Sequence, residues 1–342
     1  MESDFWVRGT VTRVMQAIER MATPWMVRPA SPTADLYLLN ACGDWVGEGR
    51  PITQLAPGVF VSETTLLVMR HAGGAATLPE RARQFYLIDD DVNALVADVR
   101  TPMGQRLKLA LFERRYAAAL RHAGAQMVVS SDALLRLHPS ATLLRPVWSA
   151  ALADLDHHGK AGPCRIAYLG SAVHRGDLAL IGKVLRSILE TGDVELYIAA
   201  NHRLSKLSGH PKVKLIAATS WPAWRAWIEQ QRFHIALYPL ADSAANRARS
   251  CNKIIEHAVV GAAGIYSDTW PEAARVSRRS AGLVLPADPR QWELAIRSLI
   301  DDRQACLRLA RAGRALAQDL NGPGVQRAFW SHAFSLFPFR TT

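Results

Sequence analysis

The chain has few cysteines, no long apolar run and none of the commonest nucleotide-binding signatures. Its four cysteines are scattered, without a CxxC pair or a histidine partner at zinc spacing, which argues against a disulfide framework and a structural metal. No window of about 18 uncharged apolar residues exists, so no bilayer-spanning helix is predicted. The absence of GxGxxG and of a Walker lysine motif argues against a dinucleotide oxidoreductase and a P-loop NTPase.

The first residues, MESDFWVRGTVTRV, also lack the basic start and apolar middle of a secretory signal, so we expect a cytoplasmic protein. What the chain does have is a formal net charge of +11, which indicates an anionic partner. Nucleic acid, an anionic membrane surface and a phosphorylated small molecule all fit this charge. The basic residues are dispersed and form no recognised nucleic-acid module, so nucleic acid is not expected.

The length of 342 residues predicts two domains. From residue 164 onward, short apolar strands alternate with helices such as Asp177–Leu189, as in a parallel sheet wound on both sides. The strands predicted in this half are Arg165–Leu169, Val194–Ala200, Val213–Ala217, His234–Pro239, Ala263–Ser267 and Gly282–Leu285.

The first half repeats this alternation less regularly, with helices predicted at Thr10–Met21 and Gln105–His122. Its predicted strands are Asp4–Val7, Asp35–Asn40, Val59–Ser62, Gln84–Ile88, Gln126–Ser130 and Thr142–Pro146. The polar stretch Asp154–Gly162 is predicted to be a linker and hinge. We therefore expect a Rossmann-like domain over residues 1–153, a second over 163–320, and a segment 321–342 whose helix packs back onto the first domain.

The clearest chemical signal follows the predicted strand His234–Pro239. Ser250 is predicted to cap a helix that ends near Gly261. Lys253 lies in the first turn of this helix, where the helix dipole disfavours a cation, and Arg249 lies just upstream. An anion such as a diphosphate at the helix start would relieve this repulsion.

Glu256 lies one turn after Lys253 on the same helical face. A carboxylate there can accept hydrogen bonds from the two hydroxyls of a ribose. The alternative is an ordinary exposed ion pair between the two residues, which contributes little to stability. The position at the carboxyl end of a Rossmann-type strand, where such folds bind ligands, favours the ligand site.

This stretch resembles the nucleotide-sugar glycosyltransferases of the GT-B type, particularly bacterial group 1 enzymes of cell-surface polysaccharide assembly. The shared pattern is a strand ending in Pro-Leu, followed by Asn246, Arg249, Ser250, Lys253, Glu256, Gly261 and a strand ending in Ser267-Asp268. The resemblance covers about residues 165–316 and extends weakly to Phe85–Asp91. It implies an α/β fold of two Rossmann-like parallel-sheet domains that face a cleft, an acceptor domain first and a donor domain second.

The resemblance further implies that Glu256 binds the donor's ribose, with Asn246 and Ser250 nearby, and that Arg249 and Lys253 neutralise its diphosphate. Many members carry an acidic residue that contacts the donor sugar at the position that is Ala248 here, so sugar recognition stays open. Transferases of this type generally need no metal, and no cofactor is expected beyond the nucleotide sugar.

Two further groups of residues are candidates for the site. After the strand RIAYLG, Gly170 and Ser171 would let a ligand approach the backbone, and His174 or Arg175 would reach a phosphate. In the first half, Asp89, Asp90 and Asp91 close an apolar strand, so at least one carboxylate should project into the cleft between the domains. It would orient an acceptor hydroxyl or act as a base, with Asp89 and Asp91 as the candidates. Helix capping is the alternative role for these acids.

Two helices carry patterns with two interpretations each. The basic amphipathic segment Gly104–Ala123 is typical either of a helix lying on the inner face of an anionic membrane or of a solvated outer helix. Trp221, Trp224 and Trp227 would stack on bases or, more simply, pack a helix on the sheet.

The sequence thus predicts transfer of a sugar from a nucleotide-diphosphate sugar to a glycan, lipid-linked or other hydroxyl acceptor. A sugar-nucleotide epimerase or hydrolase on the same fold, and a non-catalytic nucleotide-sugar or nucleic-acid binder, are the alternatives. Whether the anomeric centre is retained or inverted stays open.

Overall fold

The structure is a computed structural model that describes residues 31–70, 81–170, 175–199, 207, 209–216 and 220–336. It contains two six-stranded sheets, one in each half of the chain. The strand Asp4–Val7 and the helix Thr10–Met21 predicted from the sequence lie outside the described residues.

The first sheet has the strand order β1-β2-β3-β4-β5-β6. Its strands are β1 (Thr53–Ala56), β2 (Val59–Val61), β3 (Thr65–Met69), β4 (Arg83–Ile88), β5 (Gln126–Val129) and β6 (Thr142–Leu143). The strands from β3 to β6 are parallel, whereas β1 and β2 pair antiparallel to their neighbours. The sheet is therefore a parallel Rossmann-like half extended by an antiparallel edge that the sequence did not indicate.

The predicted strand Asp35–Asn40 is wrong, because this segment belongs to a helical element, α1, over residues 32–45. Leu36, Tyr37 and Leu38 are buried one after another, a run that resembles a strand in sequence. In the structure the backbone carbonyls of Leu36 and Tyr37 accept hydrogen bonds from side chains of the C-terminal helix. A distant tertiary contact, rather than local propensity, therefore decides the local structure here.

The remaining helices of the first domain follow its parallel strands. They are α2 (Val92–Ala97), α3 over residues 103–122, and α4 (Asp132–Leu137). The predicted helix Gln105–His122 is confirmed as part of α3. Its inner face buries Leu109, Phe112 and Leu120.

The second sheet is parallel throughout, in the order β12-β11-β10-β7-β8-β9. Its strands are β7 (Cys164–Tyr168), β8 (Val194–Ala199), β9 (Val213–Ile216), β10 (Ile235–Tyr238), β11 (Ala263–Ser267) and β12 (Leu283–Leu285). All six strand predictions for this half are confirmed to within two residues at each end. The central strands β10 and β11 are buried along their whole length, as expected for a sheet covered by helices on both faces.

Helices between these strands complete the doubly wound arrangement, and three further helices among the described residues follow the last strand. They are α5 (Arg175–Ala179), α6 (Gly182–Thr191), α7 (Trp221–Glu229), α8 (Asn252–Val259), α9 (Ala273–Arg278), α10 (Pro289–Asp301), α11 (Arg303–Leu320) and α12 (Pro323–Ala333). In α7, Trp221, Trp224 and Trp227 are partly buried and pack against the hydrophobic core, so they do not form a solvent-facing stacking array. None of the helices in the described part of the chain is long and apolar enough to cross a bilayer.

The last helix, α12, leaves the second domain and lies on the first. Trp330 is fully buried and donates its indole N–H to the carbonyl of Tyr37 at 2.6 Å. Gln326 donates to the carbonyls of Leu36 and Arg145 at 2.8 and 2.7 Å. These bonds fix the two domains relative to each other through the end of the chain.

The predicted linker Asp154–Gly162 connects the domains and is largely exposed, but two of its histidines are buried, which the sequence did not predict. His157 and His158 are buried in a short 3-10 turn, Asp156–Gly159, and their rings contact that of His234. The Nε2 atoms of His157 and His158 lie 2.8 and 2.9 Å from the carbonyls of Phe233 and Gly261. As neutral rings protonated at Nε2, both histidines anchor this segment to the second domain.

Burial lowers the pKa of all three histidines, to about 4 for His158 and about 3 for His234. The buried Nδ1 atoms of His157 and His158 have no hydrogen-bond partner in the described part of the chain, and the charge of Arg303 disfavours protonation further. Unfolded histidine titrates near pH 6.5. The unfolded chain therefore binds more protons below this pH, and the stability of the fold decreases as the pH falls from about 6.5 towards 4.

We predict that the free energy of unfolding in urea is lower at about pH 5.5 than at about pH 7, and that His158→Gln reduces this difference. The glutamine amide still donates a hydrogen bond but does not titrate. His332→Gln is the matched control, because His332 is exposed. Equal pH dependence in the wild type and both variants would contradict the role assigned to the buried histidines.

Candidate functional site

The predicted helix after Ser250 begins slightly later than expected. The helix α8 starts at Asn252, and its N-cap is Cys251 rather than Ser250. The Ser250 hydroxyl accepts a long hydrogen bond, 3.4 Å, from the Asn252 amide. Lys253 still lies in the first turn, where the helix dipole disfavours its positive charge.

Lys253 joins the start of α8 to the end of β7. Its Nζ donates to the carbonyl of Leu169 at 2.7 Å and forms an ion pair with Glu256. The side chains of Lys253 and Glu256 are only 16% and 4% exposed. The pair is therefore not an ordinary surface ion pair but a buried one at the carboxyl edge of the sheet, and removing either partner leaves a buried charge without compensation.

Arg249 is a second buried cation beside this edge, with 17% of its side chain exposed. Its Nε donates to the Asn246 Oδ1 at 3.1 Å, and its guanidinium lies 3.6 Å from the carboxylate of Asp90 in the first domain. Burial disfavours the charge of Arg249, but the charges of Asp90 and its neighbours raise its pKa overall. An ion pair between the domains thus lies next to the predicted donor site.

Asn246 orients Arg249. Its amide nitrogen donates to the Asp177 carboxylate at 3.0 Å and to the Ala241 carbonyl at 2.8 Å, while its oxygen accepts from Arg249. Both polar groups of the side chain are therefore engaged within the protein. We interpret Asn246 as a positioning residue held by Asp177, which lies buried in α5 and which the sequence analysis did not select.

The three consecutive acids after β4 have three different environments. Asp91 caps α2 by accepting a hydrogen bond from the Ala94 amide at 2.9 Å. Asp89 accepts from the Thr33 hydroxyl at 2.7 Å and lies 3.3 Å from Arg70. Asp90, which was not among the predicted site residues, forms ion pairs with both Arg70 and Arg249, so one of the three acids faces the second domain as expected.

Burial is the largest influence on Asp89 and raises the pKa of its carboxyl group, an effect that Arg70 opposes and Asp90 adds to. Arg70 follows β3 with a positive φ of 50°. The sequence around Arg70 does not indicate that it pairs with acids about 20 residues further along the chain. The pairing arises because β3 and β4 are parallel neighbours, so their carboxyl ends lie side by side.

The glycine turn after β7 is only partly described. A Cβ atom on Gly170 would lie 2.5 Å from ring atoms of the buried Tyr168, so glycine is required there. Ser171 and His174 lie outside the described residues, and of Arg175 only the backbone position at the start of α5 is described.

Ala248 occupies the position where the resembled family carries an acid. It is buried against the first domain, and its carbonyl accepts a hydrogen bond from the Ser131 hydroxyl at 2.6 Å. A carboxylate at this position would have to enter the interface between the domains. Any recognition of a donor sugar in this chain must therefore use other groups.

Among the described residues, no group of histidines, cysteines and carboxylates is arranged to hold a metal ion. The four cysteines are buried as free thiols, and burial raises the pKa of Cys251 to about 12. The cysteine that precedes α8 is therefore a neutral packing residue rather than a nucleophile.

Because Asp91 acts as a helix cap, we predict that Asp91→Asn changes the free energy of unfolding by less than about 0.5 kcal/mol, whereas Asp91→Ala lowers it by roughly 1 kcal/mol. Chemical denaturation of the two variants and the wild type measures both values. A stable asparagine variant that has lost all activity would contradict the capping role and restore Asp91 as a catalytic candidate.

No protein-family model and no curated protein matches the chain in sequence. Its likeness to solved structures is clear. A TarM variant from S. aureus in complex with fondaparinux, alpha-GlcNAc-glycerol and UDP aligns with a TM-score of 0.55 at 12% identity, over 78% of this chain and 55% of that chain. TarM alone gives a TM-score of 0.53, and the present chain spans about half of its length, 51%.

Two further structures cover more of their own length. HepE from Anabaena in complex with UDP and glucose aligns with a TM-score of 0.51 at 12% identity, over 75% of this chain and 72% of that chain. Sucrose-phosphate synthase from Thermosynechococcus elongatus aligns with a TM-score of 0.51 at 15% identity, over 75% and 69%. With two Rossmann-like domains and these neighbours, the chain has the GT-B fold of nucleotide-sugar glycosyltransferases.

Proposed function

We propose that the chain transfers a glycosyl group from a nucleotide-diphosphate sugar to a hydroxyl of a glycan, lipid-linked sugar or similar acceptor in bacterial surface polysaccharide or glycoconjugate synthesis. The observation that carries this proposal is the buried Lys253–Glu256 pair at the carboxyl edge of the second sheet in a GT-B fold. Arg249 adds a second cation beside it. Open α/β sheets bind their ligands at this edge.

The chemistry of such a transfer needs a stabilised leaving group more than a strong nucleophile. Lys253 and Arg249 would neutralise the diphosphate, together with the start of α8 and the main chain at Gly170. Glu256 would then turn from its ion pair with Lys253 to the hydroxyls of the ribose. The complexes of TarM and HepE with UDP support a uridine nucleotide as the first donor to examine. No cofactor and no metal ion are proposed.

If the reaction inverts the anomeric centre, we propose Asp89 rather than Asp91 as the base. Asp91 is used by the helix cap, whereas burial raises the pKa of Asp89 and so favours its binding of a proton. A retaining reaction would use the leaving phosphate instead, and Asp89 would then only hold Arg70.

The acceptor side of the proposal rests on α3 of the first domain. Val99, Met103 and Leu107 are 83%, 74% and 53% exposed, and basic residues of α3 accompany them. Apolar side chains on a basic helix can enter the headgroup region of an anionic bilayer. We propose that the protein is cytoplasmic and that this surface brings it to a lipid-linked acceptor at the inner face of the membrane.

We predict that one or more nucleotide sugars raise the thermal midpoint of the wild-type chain, because a ligand that binds only the folded state stabilises it. Lys253→Ala and Glu256→Gln should lose most of this shift while remaining folded. Lys183→Ala and Glu190→Gln are matched controls on α6, since both residues are exposed. EDTA should leave the shift and any turnover unchanged.

If a nucleotide sugar raises the thermal midpoint of both site variants as much as that of the wild type, the donor site is wrongly placed. Turnover of a nucleotide sugar in the absence of any acceptor would favour an epimerase or hydrolase. A shift without turnover across a broad panel of acceptors would favour a binding protein. Loss of activity in EDTA that added divalent ions restore would contradict the proposal of a metal-independent reaction.

We further predict that the protein co-sediments with vesicles containing phosphatidylglycerol and that Leu107→Ser weakens this binding several-fold. Leu137→Ser is the matched control, because Leu137 is 57% exposed on α4 rather than on α3. Equal effects of the two substitutions, or no vesicle binding at all, would contradict the proposed membrane surface.

A further inference from the structure

A cavity of about 390 Å³ lies where the two domains and the terminal helix meet. The residues after β5 of the first domain, the helices α9 and α11 of the second, and the start of α12 supply its walls. Its apolar lining comes from Leu143, Leu144, Val147, Leu316, Leu320 and Val325. None of the described residues that line it belongs to the proposed donor site, so the cavity is not explained by the proposed function.

Arginine side chains dominate the polar part of this lining. The four arginines are Arg145, Arg275, Arg278 and Arg279, whereas Asp319 is the one carboxylate among the described lining residues. Part of the net charge of +11 is thus concentrated around this cavity, outside the proposed donor site.

The charge of these arginines is incompletely balanced within the protein. Arg279 pairs with Asp319 at 2.5 Å, and Arg275 pairs with Glu272 at 2.7 Å. Arg275 also shares Asp132 with Arg145, but each guanidinium lies 3.6 Å from that carboxylate.

These distances to Asp132 are longer than those of good charge-assisted hydrogen bonds. The Arg278 side chain forms no hydrogen bond or ion pair with any residue in the described part of the chain, and it is exposed at the cavity. The guanidinium groups at this cavity can therefore donate further hydrogen bonds to an anion.

We propose that this cavity binds a phosphomonoester that carries a short apolar group. Guanidinium groups bind phosphate oxygens in pairs, and the fork geometry of arginine suits this better than lysine does. The phosphate would contact Arg278, Arg275 and Arg145, and the apolar group would cover Val325 of α12, which is 73% exposed. A fully hydrated inorganic anion would leave this side chain exposed to water, so an organic phosphate fits the site better.

Binding in this cavity also bears on the arrangement of the domains. Arg145 comes from the first domain, Arg278 from the second, and Val325 from the terminal helix that joins them. A ligand that contacts all three stabilises the domain arrangement seen here relative to any in which they separate. The site therefore couples an anionic ligand to the geometry of the cleft.

The test is a calorimetric titration of the full chain with butyl phosphate and with inorganic phosphate, at constant ionic strength. We expect butyl phosphate to bind at least 10-fold more tightly than inorganic phosphate, and Arg278→Gln to weaken it by about 10-fold, as for loss of one charge-assisted contact. Val325→Glu, which brings a carboxylate to the cavity, should weaken binding as well. Arg311→Gln on α11 is the matched control, because Arg311 is exposed and does not line the cavity.

Two sources of this ligand, a free organic phosphate and a lipid headgroup, are separated by comparing butyl phosphate with vesicles that contain phosphatidate. For each ligand, the affinity of the wild type is divided by the affinity of Arg278→Gln. The ligand with the larger ratio is the source. Absence of butyl phosphate binding, or equal losses in Arg278→Gln and Arg311→Gln, would overturn the proposal.

The result is independent of the donor site. Butyl phosphate should bind Lys253→Ala as tightly as wild type and should not be displaced by UDP. Displacement by UDP, or loss in Lys253→Ala, would place the phosphate in the donor site and overturn the proposal. A failure of all nucleotide sugars to bind would leave the cavity proposal standing.

Discussion

The neutralisation of buried cations is the constraint on which the candidate site depends. Lys253 and Arg249 lie at one edge of the second sheet, where neither is exposed enough for water to solvate its charge fully. Each is held by a carboxylate, Glu256 from the same helix and Asp90 from the opposite domain. Because a buried charge without a partner is costly, any anionic ligand that enters must replace these carboxylates rather than simply add to them.

This exchange links the proposed chemistry to the geometry of the two domains. The line of contacts from Asp177 through Asn246 and Arg249 to Asp90 crosses from the second domain into the first. The interface also buries Ala248, so the position of the family's sugar-binding acid is used for domain contact. A diphosphate at Arg249 would weaken one interdomain contact while a ligand in the arginine cavity would strengthen another.

The sequence was sufficient for the strands of the second domain and for the prediction that Lys253 lies in the first turn of a helix. Regular alternation of short apolar strands with amphipathic helices predicted its six strands, and the misplaced charge of Lys253 indicated the helix start. The failures have a common physical cause. Asp35–Asn40 forms a helix, His157 and His158 are buried, and Asp90 rather than its neighbours faces Arg249, in each case because of contacts with residues far away in sequence. Periodicity and local propensity carry no information about such partners.

The most direct test of this account is a crystal structure of the chain with a nucleotide sugar that stabilises it in solution. The account predicts a diphosphate in contact with Lys253 and Arg249, Glu256 bonded to the ribose, and Asp90 moved away from Arg249. A nucleotide bound elsewhere, with the Lys253–Glu256 and Arg249–Asp90 pairs intact, would contradict it.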